Sequence, residues 1–159
     1  MTGIADAIVQ FMEAPLDPLR LRKYLAPDPG DPPWLKVMKD HVGPRHDYYY
    51  DFCDANPGDA WCACMIGWAL HQCNLKGTGS AAANSYKTWG VPQQTYKKGA
   101  IIVFHWVDQA PEHGHVSLLN DWNEDEGYVG CIGGNQSHSV RRSVYDMDYI
   151  VAMRWPKGV

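Results

Sequence analysis

The hydrophobic pattern of this chain changes period near residue 100, and that change fixes its fold class. Residues 100–106 form a short continuous apolar run, and 115–119, 128–132, 140–145 and 149–155 follow it, separated by polar turns such as 123–127. Runs of that length between turn signals read as strands. Before the change the period is helical. Cys62, Met65, Ile66, Ala69 and Cys73 fall at i, i+3, i+4, i+7 and i+11, the core stripe of a helix over residues 61–74 that Gly77 and Gly79 are placed to close. Helices first and closely spaced strands afterwards predict an α+β domain, with helices packed on an antiparallel sheet.

Upstream, Ile4, Ile8, Phe11 and Met12 predict a short amphipathic helix over 3–13, and Pro18 suits the first turn of another over 18–25. Residues 26–33 carry four prolines and a glycine and read as a stiff connector. Residues 1–32 are therefore expected to be an appendage and 33–159 the domain proper. Within that domain 34–41 reads as a helix, and 43–60, with its prolines, aspartates and three consecutive tyrosines, as an ordered loop. A length of 159 residues suits a single core. The net charge of −4 argues against a partner bound through its phosphates, so no nucleic acid is expected. No run of about 18 apolar residues suggests a membrane span. The opening residues lack a basic leader and an apolar core, so synthesis in the cytoplasm without a secretion signal is expected.

Five cysteines, Cys53, Cys62, Cys64, Cys73 and Cys131, cannot all pair. Four could form disulfides, or all could be thiols. Cys62-x-Cys64 and His113-x-His115 each offer metal-ligand atoms, but the spacing is not that of a zinc knuckle and no second pair completes one. No metal and no cofactor is expected. Cys62 stands where a loop gives way to the helix. There the helix dipole and unpaired amides favour a thiolate, and the same amides suit an oxyanion. Its place on the apolar stripe fits a buried core thiol equally, and the residues alone leave both readings open. Cys64 lies off the stripe and reads as structural, Cys73 and Cys131 as small apolar fillers, and Cys53 as a loop thiol without a role.

A nucleophilic cysteine needs a base. His115 opens an apolar strand behind Gly114, where the strand would hold the imidazole and the glycine would leave room for a substrate chain. His113, in an exposed turn, is its competitor. Asn135 ends the next strand, beside His115 in an antiparallel pair, and could orient the imidazole, with Gly133 and Gly134 permitting an unusual backbone. It fits an ordinary asparagine in a glycine turn as well.

Taken in order, these stretches resemble a family. Pro33-Trp34-Leu35-Lys36-Val37-Met38-Lys39, Ala60-Trp61-Cys62-Ala63-Cys64-Met65, Gly67-Trp68 and Gly77-Thr78-Gly79-Ser80-Ala81 look like the start of the CHAP-like NlpC/P60 cell-wall hydrolases. Trp89-Gly90, Lys98 to Phe104, Gly114-His115-Val116, Gly133-Gly134-Asn135-Gln136 and Arg154-Trp155-Pro156 continue the likeness over about residues 33–156. The resemblance implies a papain-like fold, with Cys62 as nucleophile, His115 as general base and acid, and Asn135 as the orienting residue. Trp61, Gly114 and Gln136 are the expected substrate contacts. The implied reaction is hydrolysis of an amide in bacterial peptidoglycan, at the muramoyl–alanine bond or within the stem peptide or cross-bridge. Such domains occur in phage lysins and bacterial wall enzymes. The chain is thus expected to reach the wall after release or injection, in the latter case with a cognate immunity protein as partner. The competing expectation is a non-catalytic wall-binding module lined by some of its seven tryptophans and nine tyrosines.

Overall fold

The computed structural model describes residues 23–159. The helix expected over 3–13 and most of that over 18–25 lie outside them; residues 23–25 are helical. Two α-helices follow, α1 (Pro33–Asp40) and α2 (Cys62–Gln72). Pro33 starts α1, where its missing N–H has no helical partner to lose. Seven strands, β1 (Gly43–Pro44), β2 (Val91–Pro92), β3 (Ile101–Phe104), β4 (His115–Asn123), β5 (Tyr128–Gln136), β6 (Ser139–Asp146) and β7 (Ile150–Trp155), form one sheet in the order β1-β6-β5-β4-β3-β7-β2. Every neighbouring pair is antiparallel. The fold is α+β, and its five longer strands are the ones that the hydrophobic runs predict. The two-residue strands β1 and β2 lack that signal, since a pair of residues shows no alternation.

β3 is buried at all four positions, as a central strand without alternation must be. Helix α2 lies close against β5: a Cβ on Gly134 would stand 2.7 Å from Met65 Cβ and from the Trp61 ring. The expected single stripe understates α2, because Cys62 to Leu70 are buried all round. Its outer side is covered by a 3-10 segment, Asp47–Phe52. There the Tyr48 and Tyr49 rings meet Trp68 at 5.5 and 5.1 Å, and a disulfide joins Cys53 to Cys64. Cys64, off the stripe, is buried because that segment gives it a second core to face.

The far end of α2 is closed by Asn74, not by Gly77. Asn74 takes φ 59°, and Leu75 N–H donates to the Leu70 carbonyl at 3.0 Å. Asn74 N–H likewise reaches the His71 carbonyl at 3.1 Å, so both bonds of a left-handed helix stop are made. The proline-rich connector packs on the domain. Asp31 pairs with Lys39 at 2.7 Å, both side chains buried, and Asp28 with Lys98 at 2.6 Å.

Candidate active site

Cys62 occupies the first turn of α2, only 4% exposed, with Trp61 as the residue before the helix. Burial works against its thiolate. Hydrogen bonding to His115, the charge of that imidazole, and the amides of Val116 and Ala63 outweigh the burial, so the thiol ionises below its ordinary range. The first amides of α2 have no partner within the helix, which leaves the Cys62 N–H able to face a developing negative oxygen.

His115 starts β4 and pairs with Phe104 of β3. Its Nε2 lies 3.1 Å from Gln136 Oε1 and 3.2 Å from the Tyr145 hydroxyl. The orientation of the Gln136 carboxamide follows from its other bonds. Its Nε2 donates to the carbonyls of Cys131 (3.2 Å) and Arg141 (2.7 Å), and its Oε1 accepts from Ser117 Oγ at 2.6 Å. The oxygen therefore faces His115, whose Nε2 must carry the hydrogen. In the neutral ring Nδ1 is then the unprotonated nitrogen, left to face the Cys62 thiol. Phe104 and Trp106 wall the imidazole, with ring centroids 6.2 and 6.4 Å from it.

The orienting place expected for Asn135 is thus taken by Gln136. The reason is a bulge. Pairing of β5 with β6 slips between Gly133 and Gln136, and Asn135 sits there in left-handed backbone at φ 55°. One inserted residue reverses the alternation of a strand. Gln136 consequently reaches the His115–Ser117 side, and Asn135 turns to a hollow beside Trp61. Gly133 serves close approach here: a Cβ on it would collide with Ser117 Oγ and stand 3.0 Å from Gln136 Oε1. The room expected beside Gly114 is also filled, by Asn84 Oδ1 and the Phe104 carbonyl, each 2.9 Å from where its Cβ would be. His113 is exposed and receives the His105 ring on its carbonyl at 2.8 Å, so it stands outside the cluster. Trp61, 4% exposed and stacked on Tyr49 at 5.8 Å, forms part of the wall.

Two members went unread in the sequence. Ser117 lies two residues beyond His115, on the same side of β4, and strand alternation alone could have singled it out. Tyr145 comes from β6, two strands away, and no local signal points to it. Among the described residues, no three His, Cys, Asp or Glu side chains group as metal ligands.

No curated protein matches this chain in sequence. Residues 54–135, just over half of the chain, match the CHAP domain. The matched stretch contains Cys62 and His115 and ends one residue before Gln136. The chain belongs to the CHAP family, whose domains are typically cysteine- and histidine-dependent amidohydrolases or peptidases.

Proposed function

We propose that this chain hydrolyses an amide bond of bacterial peptidoglycan through Cys62, His115 and Gln136. The observation that supports this most is the chain of hydrogen bonds that fixes the His115 tautomer and leaves its basic nitrogen for the thiol. His115 Nδ1 takes the Cys62 proton, and the thiolate attacks the scissile carbonyl. The oxyanion rests on the Cys62 amide. As the intermediate collapses, the C–N bond breaks and His115 returns the proton to the leaving amine, so the acyl group stays on sulfur. Water, its proton taken by His115, then attacks the thioester and releases the acid and the free thiol. Gln136 holds the imidazole and accepts the Nε2 hydrogen throughout. Delivery to the wall, as a phage lysin or as an injected effector that a cognate immunity protein would block, draws on this same chemistry.

The test is digestion of purified peptidoglycan with mass analysis of the released fragments, which also names the bond cut. The wild-type protein should release new amine termini, and Cys62→Ala should cut the rate by roughly 10⁴-fold or more while wall binding persists. Alkylation should inactivate the enzyme and a chelator should not. A Cys62→Ala variant with unchanged wall activity would establish a binding module in place of a hydrolase.

A further inference from the structure

A hollow of about 540 Å³ is lined by Arg45, Asp59, Trp61, Asn135 and His138 among others. Of its walls, Trp61 is the residue before Cys62 and Asn135 the residue before Gln136, so two of them are joined by a single peptide bond to residues of the catalytic cluster. We propose that it is a specificity subsite that holds a free carboxylate of the substrate peptide on Arg45. The assignment rests on the hydrolase reading above and names the chemistry flanking the cleaved amide.

The first support is how Arg45 is held. The buried Tyr50 hydroxyl accepts from Arg45 Nη1 at 3.3 Å and from the Gly58 amide at 3.2 Å, and donates to the Asp59 carbonyl at 2.8 Å. One hydroxyl therefore fixes both the guanidinium and the 58–59 wall of the hollow. The other partner of Arg45 is Asp47, at 3.2 Å, whose side chain is 74% exposed. An ion pair so open to water competes weakly with a ligand. Two of the five guanidinium donors are engaged by these bonds, and the remainder can bind a carboxylate in bidentate fashion.

The second support is stored strain. Gln136 pairs with Ser139, so Ser137 and His138 form a two-residue hairpin turn, both in left-handed backbone at φ 49° and 60°. Turns of this kind favour Asn-Gly, and residues with a full side chain are costly there. With Asn135 in the adjoining bulge, three of the four left-handed non-glycine residues among those described lie within residues 135–138. Ser137 Oγ adds a buried hydroxyl without a hydrogen-bond partner. The pairing of Gln136 with Ser139 imposes this backbone on Ser137 and His138, and strained residues of this kind cluster at functional sites. The turn places His138, and the bulge before it Asn135, both able to donate hydrogen bonds, in the hollow with Arg45. Asp59 also lines it, and one Asp59 oxygen accepts the Asn56 amide at 3.0 Å. The lining thus carries one guanidinium and one carboxylate, Arg45 and Asp59, and no surplus of positive charge for a dianionic phosphate, so a singly charged carboxylate suits it better.

The experiment measures binding, so that turnover is not needed to read it. Cys62→Ala protein is titrated by calorimetry with two synthetic wall peptides, identical except that one carries a free α-carboxylate next to the scissile amide and the other a carboxamide. The carboxylate peptide should bind roughly 10- to 100-fold more tightly, the range for a charge-assisted pair. Adding Arg45→Gln should erase that gap by weakening the carboxylate peptide alone, and Arg45→Lys should keep part of it. Equal affinities for the two peptides, or a gap untouched by Arg45→Gln, would overturn the proposal. His138→Gly covers the chance that the Arg45 variants disturb Tyr50. It should raise the melting temperature by relieving the turn and narrow the gap a few-fold; a gap unchanged at the higher melting temperature refutes the role given to the turn. Wild-type protein that shows the gap yet releases no fragments from purified peptidoglycan would break the hydrolase reading and leave the subsite standing.

Discussion

Cys62 at the N-terminus of α2 and Cys131 in the middle of β5 are both free and both buried in the same core. Their thiols are nevertheless pushed in opposite directions. Cys131 has burial acting on it first and the negative charge of Asp121 second, and its pKa lies well above the ordinary thiol value. Cys62 suffers the same burial, but His115 and the amides of Val116 and Ala63 overturn it. Burial alone therefore makes a thiol inert, and reactivity comes from what the fold aims at the sulfur. A helix start and a strand start supply those groups at Cys62. The middle of a hydrogen-bonded strand has no free amides to offer Cys131.

The widest gap between the two should appear in alkylation. Iodoacetamide should modify Cys62 in the native protein and leave Cys131 untouched until the chain unfolds. Rate against pH gives the sign. Because the Cys62 pKa is lowered, its thiolate persists below the ordinary value of 9.0, and reactivity and the proposed amide hydrolysis should both fall as pH drops through the depressed value. His115→Ala removes the principal stabilising group and leaves burial in command, so the midpoint should rise past that of an ordinary thiol. A midpoint that stays in place in His115→Ala would show that the helix amides alone activate Cys62.

Gln136 offers the next largest effect, and it sets two adjacent residues against each other. Gln136→Ala frees the His115 ring and its tautomer and should lower turnover by roughly 10²-fold, given how severely a mis-set tautomer impairs a triad. Asn135→Ala should cost only a few-fold, since its side chain faces the hollow and the ring is held from position 136. Steady-state kinetics on the same peptidoglycan separates them, and the reverse ranking would return the orienting role to Asn135.

That pair also shows where the sequence stops being legible. The five longer strands, α1, α2 and the thiol at its start follow from hydrophobic period and from the chemistry of a helix N-terminus, both local properties. Cys62 and His115 stand out as candidates for the same reason, each at the first position of an element, while their roles follow only from the family resemblance. The orienting role is expected of Asn135 and a substrate contact of Gln136, whereas Gln136 is the residue on His115, because a bulge reverses strand alternation and only the pairing with β6 reveals it. The partner of Cys64 was unreadable as well. The disulfide to Cys53 depends on the Asp47–Phe52 segment folding back over α2, which no spacing of five cysteines specifies. Tyr145 reaches His115 across two strand pairings, and nothing within β6 marks it.

The smallest effect belongs to Cys131 itself. Its sulfur lies fully buried in a strand, where it acts as a small apolar group, so Cys131→Ala opens a cavity smaller than a leucine-to-alanine change would. A loss of about 1 kcal/mol is expected, toward the low end of the range for core truncations. Denaturant unfolding should show that loss as a lower midpoint with an unchanged slope. The pH profile of activity and the Cys62 alkylation midpoint should both stay where they were, because Cys131 is not among the groups acting on Cys62. Gln136 accepts no bond from the Cys131 side chain and donates only to its backbone carbonyl, which alanine retains. A shift in the Cys62 midpoint in Cys131→Ala would mean that packing at the middle of β5 reaches His115 through Gln136, and that the two thiols are not independent.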